Sequence, residues 1–184
     1  MKNKIRNEIK LKRKEMNPDD AKQKSFSAAW CFLNSELYLS ANTIMLYMPL
    51  GNETDTGEIV KKAFEDRKRI VLPVTERSTG WITPFVFERG ATLKKGSFSV
   101  LEPQNAEIAK KSEIDTVIVP GIAFDKAGSR IGFGKGCYDM FLDGLNAVKI
   151  GFCYDFQVMD EIPSDDHDIR MDFLVTEKGV LRCQ

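Results

Sequence analysis

The sequence predicts an α/β protein, a three-layer sandwich with a mostly parallel central sheet and helices on both faces. Five short apolar runs with little polar alternation are typical of strands that are covered on both sides. A helical pattern between the first two runs gives a strand–helix–strand order, which implies parallel strands. The chain has 184 residues, so we expect a single domain over residues 1–184.

Two helices are predicted before the first strand. Residues 2–15 are rich in helix formers, and Ile5 and Ile9 are one turn apart. Asn17 followed by Pro18 predicts the start of a second helix, because an N-cap residue often precedes Pro at the first helical position. We expect this helix to run toward Ser35.

The apolar runs that predict strands lie at residues 43–48, 69–74, 116–119, 148–152 and 173–176. Asp55-Thr56-Gly57-Glu58 is similar to a capping box and predicts a helix between the first two strands. Residues 81–87 predict a further strand whose direction is open. Residues 78–80 and 90–99 are predicted to be surface loops.

The formal net charge is zero, which argues against the basic surface typical of nucleic-acid-binding proteins. The charge is nevertheless uneven: residues 1–24 carry nine Lys/Arg and four Asp/Glu, and residues 155–172 carry seven acids and one Arg. The basic segment suits a polyanion such as a nucleoside triphosphate, and the acidic one suits a cation. Charge alone favours the alternative of two solvated faces.

The four cysteines lack the C-x-x-C spacing of zinc or redox motifs, which favours a reducing compartment. The charged N-terminus has no apolar core typical of a signal peptide, and no apolar run approaches the ~20 residues that span a bilayer. We therefore expect a cytoplasmic protein with no nucleic-acid partner, no membrane association and no obligate protein partner.

The most informative segment is residues 120–142, which follows a predicted buried strand. The alternate glycines Gly132, Gly134 and Gly136 allow backbone N–H groups to approach an anion closely. Apolar residues at helical spacing predict a helix that starts near Gly136, with its N-terminus toward the same anion. The segment matches neither the Walker loop nor the dinucleotide G-x-G-x-x-G pattern. Phosphate binding is favoured, and a tight strand-to-helix turn is the alternative.

This segment resembles the signature of the 5-formyltetrahydrofolate cyclo-ligases, P-G-x-x-F-D-x-x-G-x-R-(L/I)-G-x-G-x-G-Y-Y-D-x-(F/Y)-L. The matching positions are Pro120, Gly121, Phe124, Asp125, Gly128, Arg130, Gly132, Gly134, Gly136, Tyr138, Asp139 and Leu142. One position departs from the family pattern, because Cys137 stands where the first of two tyrosines is usual.

Other segments resemble the family in the same order along nearly the whole chain. Residues 2–6 are similar to the N-terminal segment that contacts ATP, and residues 48–56 to the strand end whose first acid binds the folate. Glu102-Pro103 is similar to the Glu-Pro pair after the central loop. Residues 167–172 are similar to the C-terminal segment that supplies an acidic metal ligand.

The resemblance implies a set of site residues. Those expected to bind ATP are Lys2, Lys4, Arg6, Arg130, Gly132, Gly134, Lys135, Gly136 and Tyr138. Those expected to contact the folate are Met48, Glu53, Phe98, Cys137 and Tyr138. Arg130 and Lys135 are the expected catalytic cations, which neutralise charge on the transferring phosphoryl group. Asp139 and Asp172 are the expected Mg²⁺ ligands.

Several of these residues also have ordinary structural interpretations. Arg130 could pair with a local acid, Asp139 could be a first-turn helix acid, and Glu53 could be an acid that flanks a helix. Lys2 and Arg6 could form a solvated helix face. His167, the one histidine, is expected to cap a loop and not to act as a base.

The activity that the resemblance implies is ATP- and Mg²⁺-dependent closure of 5-formyltetrahydrofolate to 5,10-methenyltetrahydrofolate. The formyl oxygen would attack the γ-phosphate, and N10 would then attack the activated carbon as phosphate leaves. The alternatives are a non-catalytic nucleotide-binding module and a phosphotransferase that acts on another small anion.

Overall fold

The computed structural model describes residues 1–104 and 106–184 of the chain. The α-helices are α1 (Lys2–Glu15), α2 (Pro18–Leu33), α3 (Glu36–Ser40), α4 (Gly57–Glu65) and α5 (Cys137–Leu142). The first strands are β1 (Thr43–Met45), β2 (Arg69–Thr75), β3 (Ile82–Val86), β4 (Leu93–Lys95), β5 (Leu101–Pro103) and β6 (Thr116–Val119). The others are β7 (Ala123–Asp125), β8 (Arg130–Ile131), β9 (Val148–Phe152), β10 (Val158–Met159), β11 (Phe173–Thr176) and β12 (Gly179–Arg182).

A seven-stranded sheet forms the centre of the molecule, in the order β12-β11-β9-β6-β1-β2-β3. The strands from β11 to β2 are all parallel, whereas β12 and β3 at the two edges are antiparallel. The inner strands are the apolar runs of the sequence, since a strand covered on both faces has no solvated side. The predicted mostly parallel sheet is confirmed.

Helices α2, α3 and α4 cover one face of this sheet. Phe32, Tyr38 and Ile59 from the helices pack in one buried cluster with sheet residues that include Ile118 and Ile150. Helix α2 begins as the sequence predicts, because the Asn17 side chain accepts a hydrogen bond from the backbone N–H of Asp19 at 2.8 Å.

The opposite face carries α5 and the β7–β8 hairpin. Phe141 and Leu142 of α5 pack with Phe124 of β7 and with Val119 of the sheet. Helix α1 packs outside this layer, where Ile5 and Ile9 meet apolar side chains at Ile122, Ile131 and Ile162. Helices therefore lie on both faces, as predicted.

The structure differs from the sequence-based expectations in three elements. The second helix ends at Leu33, and a separate short helix follows it. Helix α5 has only six residues, so its dipole is weaker than the predicted longer helix would provide. The predicted loop at residues 90–99 contains β4, which pairs with β5 in an antiparallel hairpin. Within the described part of the chain, no helix is both long and apolar enough to cross a membrane.

Candidate active site

A cavity of about 500 Å³ lies at the carboxyl edge of the central sheet. Tyr47, Thr75 and Pro120, at or just after the ends of β1, β2 and β6, line this cavity. Open parallel sheets hold their ligands at these carboxyl ends of the strands. The predicted site residues that line it are Lys2, Arg6, Met48, Glu53, Phe98, Arg130, Gly132, Gly134, Lys135, Gly136, Cys137, Tyr138 and Asp139. Most of the predicted site is therefore brought together.

The loop after β8 uses its glycines for backbone conformation and, at Gly132, for space. Gly134 and Gly136 have positive φ angles of 104° and 66°, which glycine adopts without strain. A Cβ on Gly132 would lie 2.8 Å from the Arg130 Nη1, so this glycine makes room for the guanidinium. The Arg6 Nε donates to the Gly132 carbonyl at 2.9 Å, which ties α1 to this loop.

Arg130 is held rigidly at the base of the cavity, with its side chain 5 % exposed. Its Nη2 donates to the Asp139 Oδ1 at 2.9 Å, and its Nη1 donates to the Pro120 carbonyl at 3.4 Å. The Nε is buried and has no hydrogen-bond partner among the described residues. The alternative interpretation of a local ion pair is thus present, and the guanidinium retains an unused donor at Nε.

A group of acidic side chains lies at the cavity wall, in the segment whose Ile169 N–H donates to the Asp139 Oδ1 at 3.3 Å. Asp165, His167 and Asp168 line the cavity, and their candidate ligand atoms lie within 4.8 Å of one another. The Lys2 Nζ donates to Asp165 and Asp168, each at 2.6 Å. Burial opposes ionisation of Asp168, but bonds from Lys2 and the Asp165 N–H hold its pKa below the usual value of 3.8. This cluster can hold a hard cation.

Asp172 does not line this cavity, so the structure does not bring it together with Asp139 as expected. Asp172 precedes β11, which is parallel to β9, and therefore lies toward the amino ends of these strands. Its carboxylate accepts a hydrogen bond from the Lys149 backbone N–H at 2.7 Å, on the second residue of β9. The cavity lies at the opposite, carboxyl ends of the strands. Lys4 is also exposed and outside the cavity.

Glu53 provides a buried acceptor on the other side of the cavity. It is 9 % exposed, and its Oε2 accepts a hydrogen bond from the Leu50 backbone N–H at 2.9 Å. Its Oε1 is buried and has no hydrogen-bond partner among the described residues. Burial raises the pKa of Glu53 above its usual value, although the Leu50 N–H and Arg13 oppose the shift. Such a group suits a ligand that carries N–H donors.

Aromatic side chains and one thiol flank the space between these two regions. Phe98 lies in the loop between β4 and β5, and the Lys135 Nζ is 4.5 Å from its ring centroid. Tyr138 packs beside Arg130, and burial raises the pKa of its phenol, which stays protonated. The Cys137 thiol occupies the family's tyrosine position at the start of α5 and faces Gly80.

Sequence reasoning did not identify three candidate site residues. Asp165 and Asp168 belong to the acidic segment that pointed to a cation, but nothing in that run of acids distinguishes them from Asp172. Arg13, which approaches Glu53, is one of nine Lys/Arg in the first 24 residues and has no distinguishing motif. Only the position of Arg13 could have predicted its burial, because Arg13 follows Ile5 and Ile9 on the buried face of α1 at intervals of four residues.

Comparison with known proteins identifies related chains. The family model of the 5-formyltetrahydrofolate cyclo-ligase family matches residues 1–177. A 5-formyltetrahydrofolate cyclo-ligase from Mycolicibacterium smegmatis is 31 % identical over 152 residues, which cover 78 % of each chain.

Two solved structures have a similar fold. The 5,10-methenyltetrahydrofolate synthetase of Aquifex aeolicus gives a TM-score of 0.88 at 31 % identity, with 100 % of this chain and 93 % of that one covered. The 5,10-methenyltetrahydrofolate synthetase of Mycoplasma pneumoniae gives a TM-score of 0.76 at 25 % identity, with 96 % of this chain and 98 % of that one covered.

Proposed function

The chain belongs to the 5-formyltetrahydrofolate cyclo-ligase family, and on that premise we propose that it converts 5-formyltetrahydrofolate and ATP into 5,10-methenyltetrahydrofolate, ADP and phosphate. The observation that carries the proposal is that the cationic glycine loop and the buried Glu53 line the same cavity. The loop suits a polyphosphate, and Glu53 suits the N–H donors of a pterin ring, so the two substrates would meet between them.

In the first step, the formyl oxygen forms a bond to the γ-phosphorus while the bond from that phosphorus to the ADP oxygen breaks. Arg130 is placed to stabilise the negative charge on the transferring group, since its guanidinium is fixed before the reaction. Lys2, Arg6 and Lys135 would bind phosphate oxygens from the two sides of the loop.

In the second step, N10 attacks the formyl carbon, the carbon–oxygen bond to phosphate breaks, and N10 loses its proton. The protein's part is to hold N10 close to that carbon and to keep water away. We assign the folate contacts to Met48, Glu53, Phe98, Cys137 and Tyr138, which line the same cavity.

Mg²⁺ fits the donors at the nucleotide side of the cavity. The oxygen donors of Asp139, Asp165 and Asp168 are of the kind that this ion prefers, and Lys2 and Arg130 now balance their charge. We propose Asp139 and Asp168 as the protein ligands, in place of Asp172. When bound with ATP, the ion supplies neutralisation of phosphate charge.

The proposal treats residues 1–184 as one domain, because residues from Lys2 to Asp168 line one cavity. A cytoplasmic location, in which ATP is abundant, is part of the same proposal.

The test mixes the purified protein with 5-formyltetrahydrofolate, ATP and Mg²⁺, and follows formation of methenyltetrahydrofolate by its absorbance together with ADP release. We expect equal amounts of both products and no reaction when ATP or the folate is omitted. ADP release without the methenyl product would favour a phosphotransferase with another substrate. Nucleotide binding without turnover would favour a non-catalytic module.

A further inference from the structure

Helix α1 ends its buried stripe with a charged residue. Ile5, Ile9 and Arg13 follow one another at intervals of four residues, and Arg13 is only 7 % exposed. Burying a guanidinium is costly unless its donors and its charge are matched by partners. The partners of Arg13 therefore indicate what it does.

All of these partners belong to the loop that carries Glu53. The Arg13 Nε donates to the Asn52 carbonyl at 3.0 Å, and the Asn52 side chain donates back to the Arg13 carbonyl at 2.8 Å. The Arg13 Nη2 lies 4.0 Å from the Glu53 Oε1. One bond thus holds the guanidinium and the other holds the Arg13 backbone, and together they place Arg13 beside this carboxylate.

The separation of 4.0 Å is important for the role of Glu53. At this distance Arg13 stabilises the negative charge of the buried carboxylate without occupying Oε1 in a direct hydrogen bond. Oε2 is already bonded to the Leu50 N–H, so Oε1 is the oxygen that can accept a bond from a ligand. Arg13 would therefore keep Glu53 ionised, oriented and available.

The same helix also reaches the nucleotide side of the cavity. Arg6 donates to the Gly132 carbonyl of the glycine loop, and Lys2 bonds the acidic cluster. Arg13 follows Arg6 by seven positions in the α-helix, a rise of about 10 Å. Helix α1 thus connects groups at both substrate regions through one rigid element.

We propose that Arg13 is a positioning residue for folate binding, which acts through Glu53. This inference rests on the proposed function, because it takes Glu53 as the acceptor for the pterin. It predicts that Arg13 affects the folate KM specifically, and that its effect depends on the presence of the Glu53 carboxylate.

The test is a double-mutant cycle on the full chain with Arg13→Met, Glu53→Gln and both together. We expect Arg13→Met to raise the folate KM about tenfold while kcat and the ATP KM change less than about threefold. In the Glu53→Gln background, Arg13→Met should change the folate KM by about twofold at most, because the two residues act as one unit. Arg13→Lys, which keeps the charge, should recover part of the loss.

The exposed neighbour Lys14 supplies the matched control, since Lys14→Met removes a cation from the same helix turn. It should leave all kinetic constants unchanged. Equal effects of Arg13→Met in both backgrounds, or parallel losses in kcat and both KM values, would show that Arg13 has only a structural role. If Arg13→Met does not fold, the cycle is run with Arg13→Lys under the same criteria.

An inactive wild-type protein would overturn the proposed function, whereas an active protein with additive effects would overturn only the role of Arg13. Equilibrium binding of 5-formyltetrahydrofolate without ATP gives a second readout. The same non-additivity should appear in its Kd, and additive changes in Kd would contradict the inference.

Discussion

Arg130 belongs at once to the fold and to the proposed chemistry. Its pairing with Asp139 joins β8 to α5, and Arg130 also lines the cavity in which phosphate is expected. An arginine already fixed by a carboxylate does not have to reorganise when charge develops, which is the property that makes a cation effective in a transition state.

Replacement of Arg130 by alanine should lower kcat by ~10²-fold or more, by analogy with the loss of one transition-state donor. The ATP KM should rise much less, because Lys2, Arg6 and Lys135 also contact the phosphate region. Steady-state kinetics with varied ATP separates the two effects. The exposed Arg77→Ala is the control, and equal losses in kcat and ATP affinity would mean that Arg130 only binds the ground state.

At the residue scale, the sequence predicted the types of side chain in the candidate site more reliably than their positions in the chain. The glycine loop was located because three glycines and two cations within seven positions have few structural explanations. The sequence pattern did not separate Asp168 from Asp172, because both are acids in the segment before β11. The strand direction and the Lys149 bond, which keep Asp172 away from the cavity, are visible only in the structure.

Because Asp168 lines the cavity and Asp172 does not, the two acids should differ in their effect on the Mg²⁺ requirement. Asp139→Asn and Asp168→Asn should each raise the Mg²⁺ concentration needed for half-maximal rate, because each removes an anionic ligand from the ion. The double variant should be little worse than the poorer single one, because ligands of one ion are coupled. The measurement is a Mg²⁺ titration of the rate for each protein.

Asp172→Asn is the matched control for that titration, since its carboxylate bonds Lys149 outside the cavity. Its Mg²⁺ requirement should equal that of the wild type. A shift as large as that of Asp168→Asn would restore Asp172 as a ligand, and strictly additive losses would show that Asp139 and Asp168 do not share an ion.

At the scale of elements, the β4–β5 hairpin holds an unusual loop over the cavity. Phe98 and Ser99 have positive φ angles of 55° and 63°, which cost roughly 1–2 kcal/mol each for residues other than glycine. The buried Glu102 carboxylate accepts a hydrogen bond from the Ser97 backbone N–H at 3.2 Å and packs against Gly96. These contacts offset the strain and keep the Phe98 ring at the cavity.

Gly96→Ala tests this arrangement. The new Cβ would lie 1.7 Å from the Glu102 Oε2, so the flexible carboxylate must swing away and lose its bond to Ser97. We expect the folate KM to rise by about threefold to tenfold, the effect of losing one hydrogen bond that orders a binding loop, with a small change in kcat.

Glu102→Ala should reproduce the effect, and the Gly96→Ala/Glu102→Ala double variant should be no worse than either single variant. Thermal melts of all three proteins provide the control for global stability. A folate KM that is unchanged in Gly96→Ala would show that the loop holds Phe98 without Glu102.

Helices and inner strands were predictable, whereas hairpins were not. A parallel strand is a dense apolar run, and α1 and α2 have clear periodicity or capping signals. Strands β4 and β5 are only three residues long, β4 is mostly exposed, and the two strands are stabilised by pairing with each other. Pairing of that kind depends on contacts that no local pattern reveals.

For the molecule as a whole, the binding site is maintained at some expense of stability. Glu53 has a folded-state pKa above its usual value of 4.5 because it is buried. Well below pH 4.5 the Glu53 carboxyl is protonated in both the folded and the unfolded state. As pH rises from there through the folded-state pKa, the carboxyl ionises more readily in the unfolded chain, so ionisation favours unfolding. The free energy of unfolding therefore falls with rising pH through this group, and it stays lower at neutral pH.

Glu53→Gln should consequently melt at a higher temperature than the wild type at about pH 7, with the difference shrinking as pH approaches about 4. The same variant should bind 5-formyltetrahydrofolate poorly. Melting curves across this pH range provide the measurement. A variant that is less stable than wild type at neutral pH would mean that the Arg13 and Leu50 contacts outweigh the cost of burial.

The position of α1 has a consequence for how the protein is made. Its apolar face packs on Ile122, Ile131 and Ile162, and Lys2 bonds Asp165 and Asp168, all of them more than 110 residues farther along the chain. On the ribosome, the first helix therefore emerges long before these partners exist, although the Asn52 loop that bonds Arg13 follows only 39 residues later. The apolar face of the helix can dock only after most of the sheet has been translated, and this docking completes the nucleotide region. ATP would thus stabilise the nearly finished chain and not the earlier nascent forms.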